Sequence, residues 1–144
     1  MTQDEAVTRT SAGAHLTVLL DSDDPGPALH ALGVPVDRKW RRGQRRSRRV
    51  RGTHEYSGFE LSSSLVETAT PSEHAEQLIQ RLRPFAPALR EIRRHPETHS
   101  IRLTVAEHTL SDNPVIWLDA AALSLLAAIG AEFVGDIYIE DEDE

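Results

Sequence analysis

Residues whose type and spacing could do chemistry fall in three places along this 144-residue chain. The densest is a run of nine bases, Arg38, Lys39, Arg41, Arg42, Arg45, Arg46, Arg48, Arg49 and Arg51, set around Trp40 with no acid among them. The whole chain carries −7, which leaves −16 for everything outside that run. Guanidinium groups fork onto carboxylates and phosphates, so the run is an electrostatic handle for an anionic macromolecule. Its spacing is not that of a recognition helix, and nucleic acid held this way would be bound without regard to sequence. The negative remainder opposes a polyanion at long range, which favours a protein partner. The ordinary alternative is that the run neutralises the acidic end of the chain, within one molecule or between two. There Asp136, Glu140, Asp141, Glu142, Asp143 and Glu144 occur without a base.

The second place is Asp21, Ser22, Asp23 and Asp24. Carboxylates there could hold Mg²⁺ with Asp136 as an added ligand, but acids in such a position more often cap a helix or line a solvated turn. No metal is expected. The third is the pair Asp136 and Tyr138, on one side of the last expected strand, which with Asp23 could shape a polar pocket. A tyrosine hydroxyl satisfied at a sheet face is the plainer explanation.

Catalytic constellations are otherwise missing from the sequence. It has no cysteine, no HExxH, no GxSxG, no P-loop and no GxGxxG. His95 and His99 are separated by Pro96, and His99 and His108 stand an odd number apart and so face opposite ways along a strand. Ser62, Ser63 and Ser64 have no base that the sequence itself positions. A non-enzymatic protein without a cofactor is the expectation.

The elements that must position these residues are read from periodicity. Leu16, Val18 and Leu20 indicate a buried strand from His15. Asp24 and Pro25 open a helix that Gly33 stops. The basic run then reads as a strand edge entering an exposed loop over residues 38–53. Phe59, Leu61 and Ser63 share one face of a strand within Glu55 to Leu65. Thr70 and Glu73 have the spacing of a capping box, in which each side chain takes the other residue's backbone N–H. Leu78, Ile79, Leu82, Phe85, Leu89 and Ile92 follow at helical spacing, while Pro84 and Pro87 each delete an intrahelical bond, giving a kinked helix or two short ones. Ile101, Leu103 and Val105 alternate inward on another strand. A loop is expected at Ser111 to Pro114, then a brief extended piece at Val115 to Leu118. Asp119 caps an apolar helix over Ala120 to Ala131, expected to be buried, and Gly130 ends it. Phe133, Gly135, Ile137 and Ile139 share a face of the last strand.

Strand, helix, strand, strand, helix, strand spells an α+β domain of the ferredoxin-like split βαββαβ type, with helices on one face of the sheet and a further helix and strand extending it. Residues 1–13 read as a flexible lead, 14–139 as one domain and 140–144 as an acidic tail. The longest apolar stretch is far short of the roughly 20 residues needed to cross a bilayer. Met1 to Thr10 lacks a basic start followed by an apolar run, so a cytoplasmic protein, monomeric or weakly dimeric, is expected.

Asp24 with Leu32, Gly33 and Pro35, then Trp40 and Gly43, then a leucine-rich helix ending near Pro84, then Leu118, Leu123, Gly130, Ala131, Asp136, Ile137 and Tyr138, stand in an order and spacing that resembles a bacterial family, domain of unknown function 4279. The resemblance spans about Leu16 to Tyr138. It implies the fold rather than an activity; some relatives look like immunity proteins that guard against toxins, which would be a binding role. Two departures are Phe59, where the family favours tryptophan, and an arginine run richer than the family pattern.

Overall fold

The computed structural model describes residues 9–48, 50–66, 69–110 and 115–139, with only the backbone of residues 9 and 10. Its elements are β1 (Arg9–Leu20), α1 (Gly26–Leu32), β2 (Arg38–Trp40), β3 (Ser57–Ser62), α2 (Pro71–Leu82), a 3₁₀ turn (Arg83–Phe85), α3 (Ala86–Arg94), β4 (Thr98–Thr109), α4 (Ala120–Ile129) and β5 (Glu132–Ile139). The strands form one sheet in the order β2-β3-β1-β4-β5. Pairing is antiparallel from β2 to β4 and parallel between β4 and β5, so α4 is the crossover between parallel neighbours.

Alternation along β1 explains why the core lies on one side. Ala14, Leu16 and Val18 pair with Val105, Leu103 and Ile101 of β4, and Leu16 and Val18 pair with Leu61 and Phe59 of β3. All are buried, and Leu78, Ile79, Leu82, Leu89, Ile92, Leu126 and Ile129 from the helices close over them. The intervening Thr17, Thr104 and His108 are half-buried and polar. The strand begins at Arg9, six residues earlier than the periodicity predicts. Small residues at Ser11 to Ala14 carry little strand signal, but pairing with β4 from Val105 to Thr109 holds them extended. The expected flexible lead is therefore strand over its last five residues, and residues 1–8 lie outside the described ones.

Helix ends follow the sequence closely. Thr70 Oγ1 accepts from the Glu73 N–H at 3.0 Å and Glu73 Oε1 accepts from the Thr70 N–H at 3.1 Å. Asp119 Oδ1 accepts from the Ala122 N–H at 2.7 Å. The prolines split the long helix in two at the 3₁₀ turn. In α1 the cap position is Pro25 rather than Asp24, although Asp24 Oδ1 still takes the Gly26 N–H at 2.9 Å. The expected burial of α4 fails: Ala122, Leu126 and Ile129 face the core, while Leu123 is 52% exposed. One helical stripe reaches the core, and among the described residues the opposite side stays uncovered. No helix of the described residues is long and apolar enough to cross a membrane.

Candidate functional site: a basic arm rooted on a tryptophan

The segment between β2 and β3 is a hydrogen-bonded arm. Gly43 N–H donates to the His54 carbonyl at 2.8 Å, His54 N–H to Gln44 at 2.8 Å and Arg46 N–H to Gly52 at 3.1 Å, with a bridge between Arg45 and Thr53. Gly43 and Gly52 sit at φ +82° and +96°, where a side chain would be strained, so the sequence bends the two rails at glycine. The expected exposed loop is thus a narrow two-stranded projection. Its tip is shaped by Ser47 Oγ, which accepts from the Val50 N–H at 3.1 Å.

Trp40 fixes the root. Its indole N–H donates to the Tyr56 carbonyl at 3.1 Å, His54 stacks on it at 4.9 Å between centroids, and the Arg38 guanidinium lies 5.2 Å from the ring. Beneath it is Gly58, its partner in the β2–β3 ladder. A Cβ on Gly58 would stand 2.8 Å from the indole and 2.4 Å from the Val18 carbonyl oxygen, so the close approach needs glycine. Trp40 is left only 6% exposed. Burial and the charges of Arg38 and Arg46 push the His54 pKa below its ordinary value, which favours the neutral form of the stacked ring. Tyr56 stacks on His99 at 4.2 Å and extends the root across to β4.

Carboxylates after β1 hold the base of the arm. Arg41 meets Asp24 at 3.3 Å and Arg42 meets Asp23 at 3.7 Å, and the Arg42 N–H donates to the Asp23 carbonyl at 3.0 Å. These are exposed pairs, whose contribution is small and salt-sensitive. Further out, Arg45, Arg46, Arg48 and Arg51 are exposed and form no ion pair among the described residues, and Lys39 likewise points outward from β2. Arg49 and the tail from Glu140 to Glu144 lie outside the described residues.

The suggested pocket of Asp23, Asp136 and Tyr138 does not assemble. Asp136 Oδ2 accepts from the Tyr138 hydroxyl at 3.2 Å, and that ring stacks on His108 at 4.6 Å. The Asp136 charge and this hydrogen bond raise the Tyr138 pKa above its usual value. But Asp136 pairs at Ala106 on β4, whereas Asp23 lies just past Leu20, which pairs at Thr98. Eight residues of strand separate those positions, about 26 Å. Distant pairing partners decide this, not local pattern. Among the described residues, no three His, Asp or Glu side chains are grouped to hold a metal ion.

One pairing escapes sequence reading. Ser63 Oγ lies 2.7 Å from His74 Nδ1, and His74 Nε2 lies 3.0 Å from the Val66 carbonyl. A carbonyl can only accept, so Nε2 carries the proton and Nδ1 accepts from the serine hydroxyl. Ser63 Oγ also accepts from the Ala14 N–H at 3.1 Å. With His74 only 2% exposed, the dyad ties β1, the end of β3 and α2 together. The available signal was His74 on the apolar face beside Ala75 and Leu78. A cleft of about 250 Å³ lies next to the arm's root, with Leu20, Pro27, Ala28, Ala31 and Ile92 as its apolar floor and Asp24 at its rim.

Fold and site together define a small α+β domain presenting a cationic arm from one edge of its sheet. The chain belongs to the family described as domain of unknown function (DUF4279), whose model matches residues 8–140. No curated protein and no solved structure matches it.

Proposed function

We propose that this protein is a non-enzymatic binding domain that engages an acidic protein through the arm, with toxin neutralisation by an immunity-like protein as one concrete form. The single observation that carries the reading is the set of exposed arginines, Arg45, Arg46, Arg48 and Arg51, held on a hydrogen-bonded arm and forming no ion pair among the described residues. An ordered arm loses less conformational entropy on docking than a free loop would. The strand order β2-β3-β1-β4 supports the ferredoxin-like reading of the first six elements, with α4 and β5 as the extension. A cytoplasmic setting fits the cysteine-free composition.

The second reading, sequence-tolerant nucleic-acid binding through residues 38–51, shares the arginines. It is less favoured because single strands are gripped by stacking bases on open aromatic faces. Here Trp40 is covered by His54 and Arg38, and Tyr56 by His99. The Ser63–His74 dyad reads as a structural lock rather than a nucleophile, since its hydroxyl is already engaged on both sides.

The test compares wild type with the quadruple variant Arg45→Ser, Arg46→Ser, Arg48→Ser and Arg51→Ser in pull-downs from cell lysate. An acidic protein recovered by wild type and absent with the variant is the expected outcome; identical recoveries would remove the arm from function. Titration with single- and double-stranded oligonucleotides over rising salt separates the two readings, since a steep fall in affinity with salt belongs to phosphate contacts.

A further inference from the structure

At the opposite edge of the sheet, β5 has a neighbour on one side only among the described residues. Exposed edge strands are usually blunted by proline, lysine, a bulge or brevity. Over its eight residues β5 has no proline and no lysine, and its ladder with β4 runs without a register shift. Phe133, Ile137 and Ile139 share the face that carries Leu103 and Val105 in β4, yet they are 42%, 40% and 55% exposed. Leu123 of α4 and Trp117 in the preceding segment, 65% exposed, add to the apolar surface at this end.

We infer that β5 pairs antiparallel with β5 of a second copy, joining two sheets into one of ten strands about a two-fold axis at Gly135. The register follows from charge and parity. Residues directly opposite one another in a ladder share a face, so a symmetric strand pair must centre on a residue. Centring on Asp136 sets that carboxylate against itself. Centring on Val134 sets Glu132 against Asp136. Centring on Ile137 aligns only residues 135–139 of the described strand. Centring on Gly135 pairs the strand over its whole length and opposes no two acids: Phe133 meets Ile137 of the second copy, Glu132 meets Tyr138, and Val134 meets Asp136. An aromatic against a β-branched residue is a favourable cross-strand pair. A Cβ at position 135 would make a tight contact of 3.3 Å with Ile116 Cδ1, so the fold already favours a small residue at the centre. Antiparallel pairing also places each Ile139 opposite Ala131 of the other copy, so the two C-terminal ends stand about 26 Å apart, beyond the screening length of about 10 Å at 0.1 M salt.

The native chain has no cysteine, which makes single thiols clean reporters. Val134→Cys and Asp136→Cys are prepared separately, each checked by circular dichroism, and oxidised alone and as a mixture. In the Gly135 register residues 134 and 136 of different copies lie within about 5.5 Å, inside disulfide reach, while 134 with 134 and 136 with 136 are about 8 Å apart and outside it. Cross-linked dimer forming in the mixture, with either variant alone giving less than about a tenth as much, is expected. Self-linking by one variant alone overturns the register. By light scattering the wild type should have twice its 16.0 kDa mass at about 100 µM, and Ile137→Lys should return it to monomer. A wild type monomeric at that concentration, or an Ile137→Lys protein that remains dimeric, overturns the proposal.

Discussion

The two edges of this sheet are opposites in construction. At the β2 edge a strand of three residues is locked in place before the chain leaves for the arm. Asp37 Oδ2 takes the Ser62 N–H at 2.8 Å and an Arg81 N–H at 2.7 Å, and Arg81 also donates to the Ser62 carbonyl at 2.8 Å. Trp40 then seals the open face over Gly58. At the β5 edge eight residues pair without a register shift and leave apolar side chains exposed, with only one ion pair on the strand among the described residues, Glu132 with Arg102 at 3.2 Å. The first edge is too short to offer a further strand much of a ladder and presents charge. The second is open to another strand and offers apolar area. Two unlike surfaces on one small domain are suited to two unlike partners.

That contrast can be broken most directly with the two tryptophans. Trp40→Ala should lower unfolding free energy by about 3 kcal/mol in urea titrations, since it removes a buried indole and leaves the Tyr56 carbonyl short of a donor. Trp117→Ala should change it by no more than about 0.5 kcal/mol, as for other exposed positions. Comparable losses at both would mean that the edges are not so different. Ser63→Ala, in the middle of the molecule, should cost about 1–3 kcal/mol by leaving His74 Nδ1 buried without its donor, with arm-dependent binding unchanged.

A smaller effect tests the lock at Asp37. The hydrogen bond from Arg81 holds the Asp37 pKa below its ordinary value against the opposing effect of burial. A depressed carboxyl pKa contributes stability that is present above the unfolded value, about 3.9, and lost as pH falls through the folded one. Arg81→Gln should therefore destabilise at pH 7 by less than about 1 kcal/mol, because the pair is partly exposed, and the difference from wild type should narrow in the most acidic part of a urea series to what the Arg81 hydrogen bond to the Ser62 carbonyl contributes. The mildest signal belongs to His54. Its folded pKa lies below the unfolded value of about 6.5, so stability at the arm's root is full above that pH and declines as acid protonates the ring. In a Trp117→Phe background, Trp40 fluorescence should report this titration, and Arg46→Ser should move its midpoint upward. An unmoved midpoint would detach the arm's charge from its root.

Much of this molecule could be read locally. The capping box at Thr70, the cap at Asp119, the stops at Gly33 and Gly130, and the alternation in β3 and β4 all depend on residues within one turn or one pleat of each other. The identity of the arm as a basic segment was equally plain. Its ladder was not, because rails joined through Gly43 and Gly52 carry no hydrophobic period to read. Nor could Ser63 and His74, eleven positions apart, be matched without knowing how α2 lies against β3.

Sequence by itself determined where most strands, helices and turns fall, and that positive charge is gathered into a single segment, because those properties live in near neighbours. Tertiary structure decided which edge each stretch occupies: it put Asp23 and Asp136 at opposite ends of the sheet, set Trp40 over Gly58, and left the apolar α4 and β5 at an uncovered border. Burial depends on what lies across a ladder or beneath a helix, and those neighbours come from far along the chain.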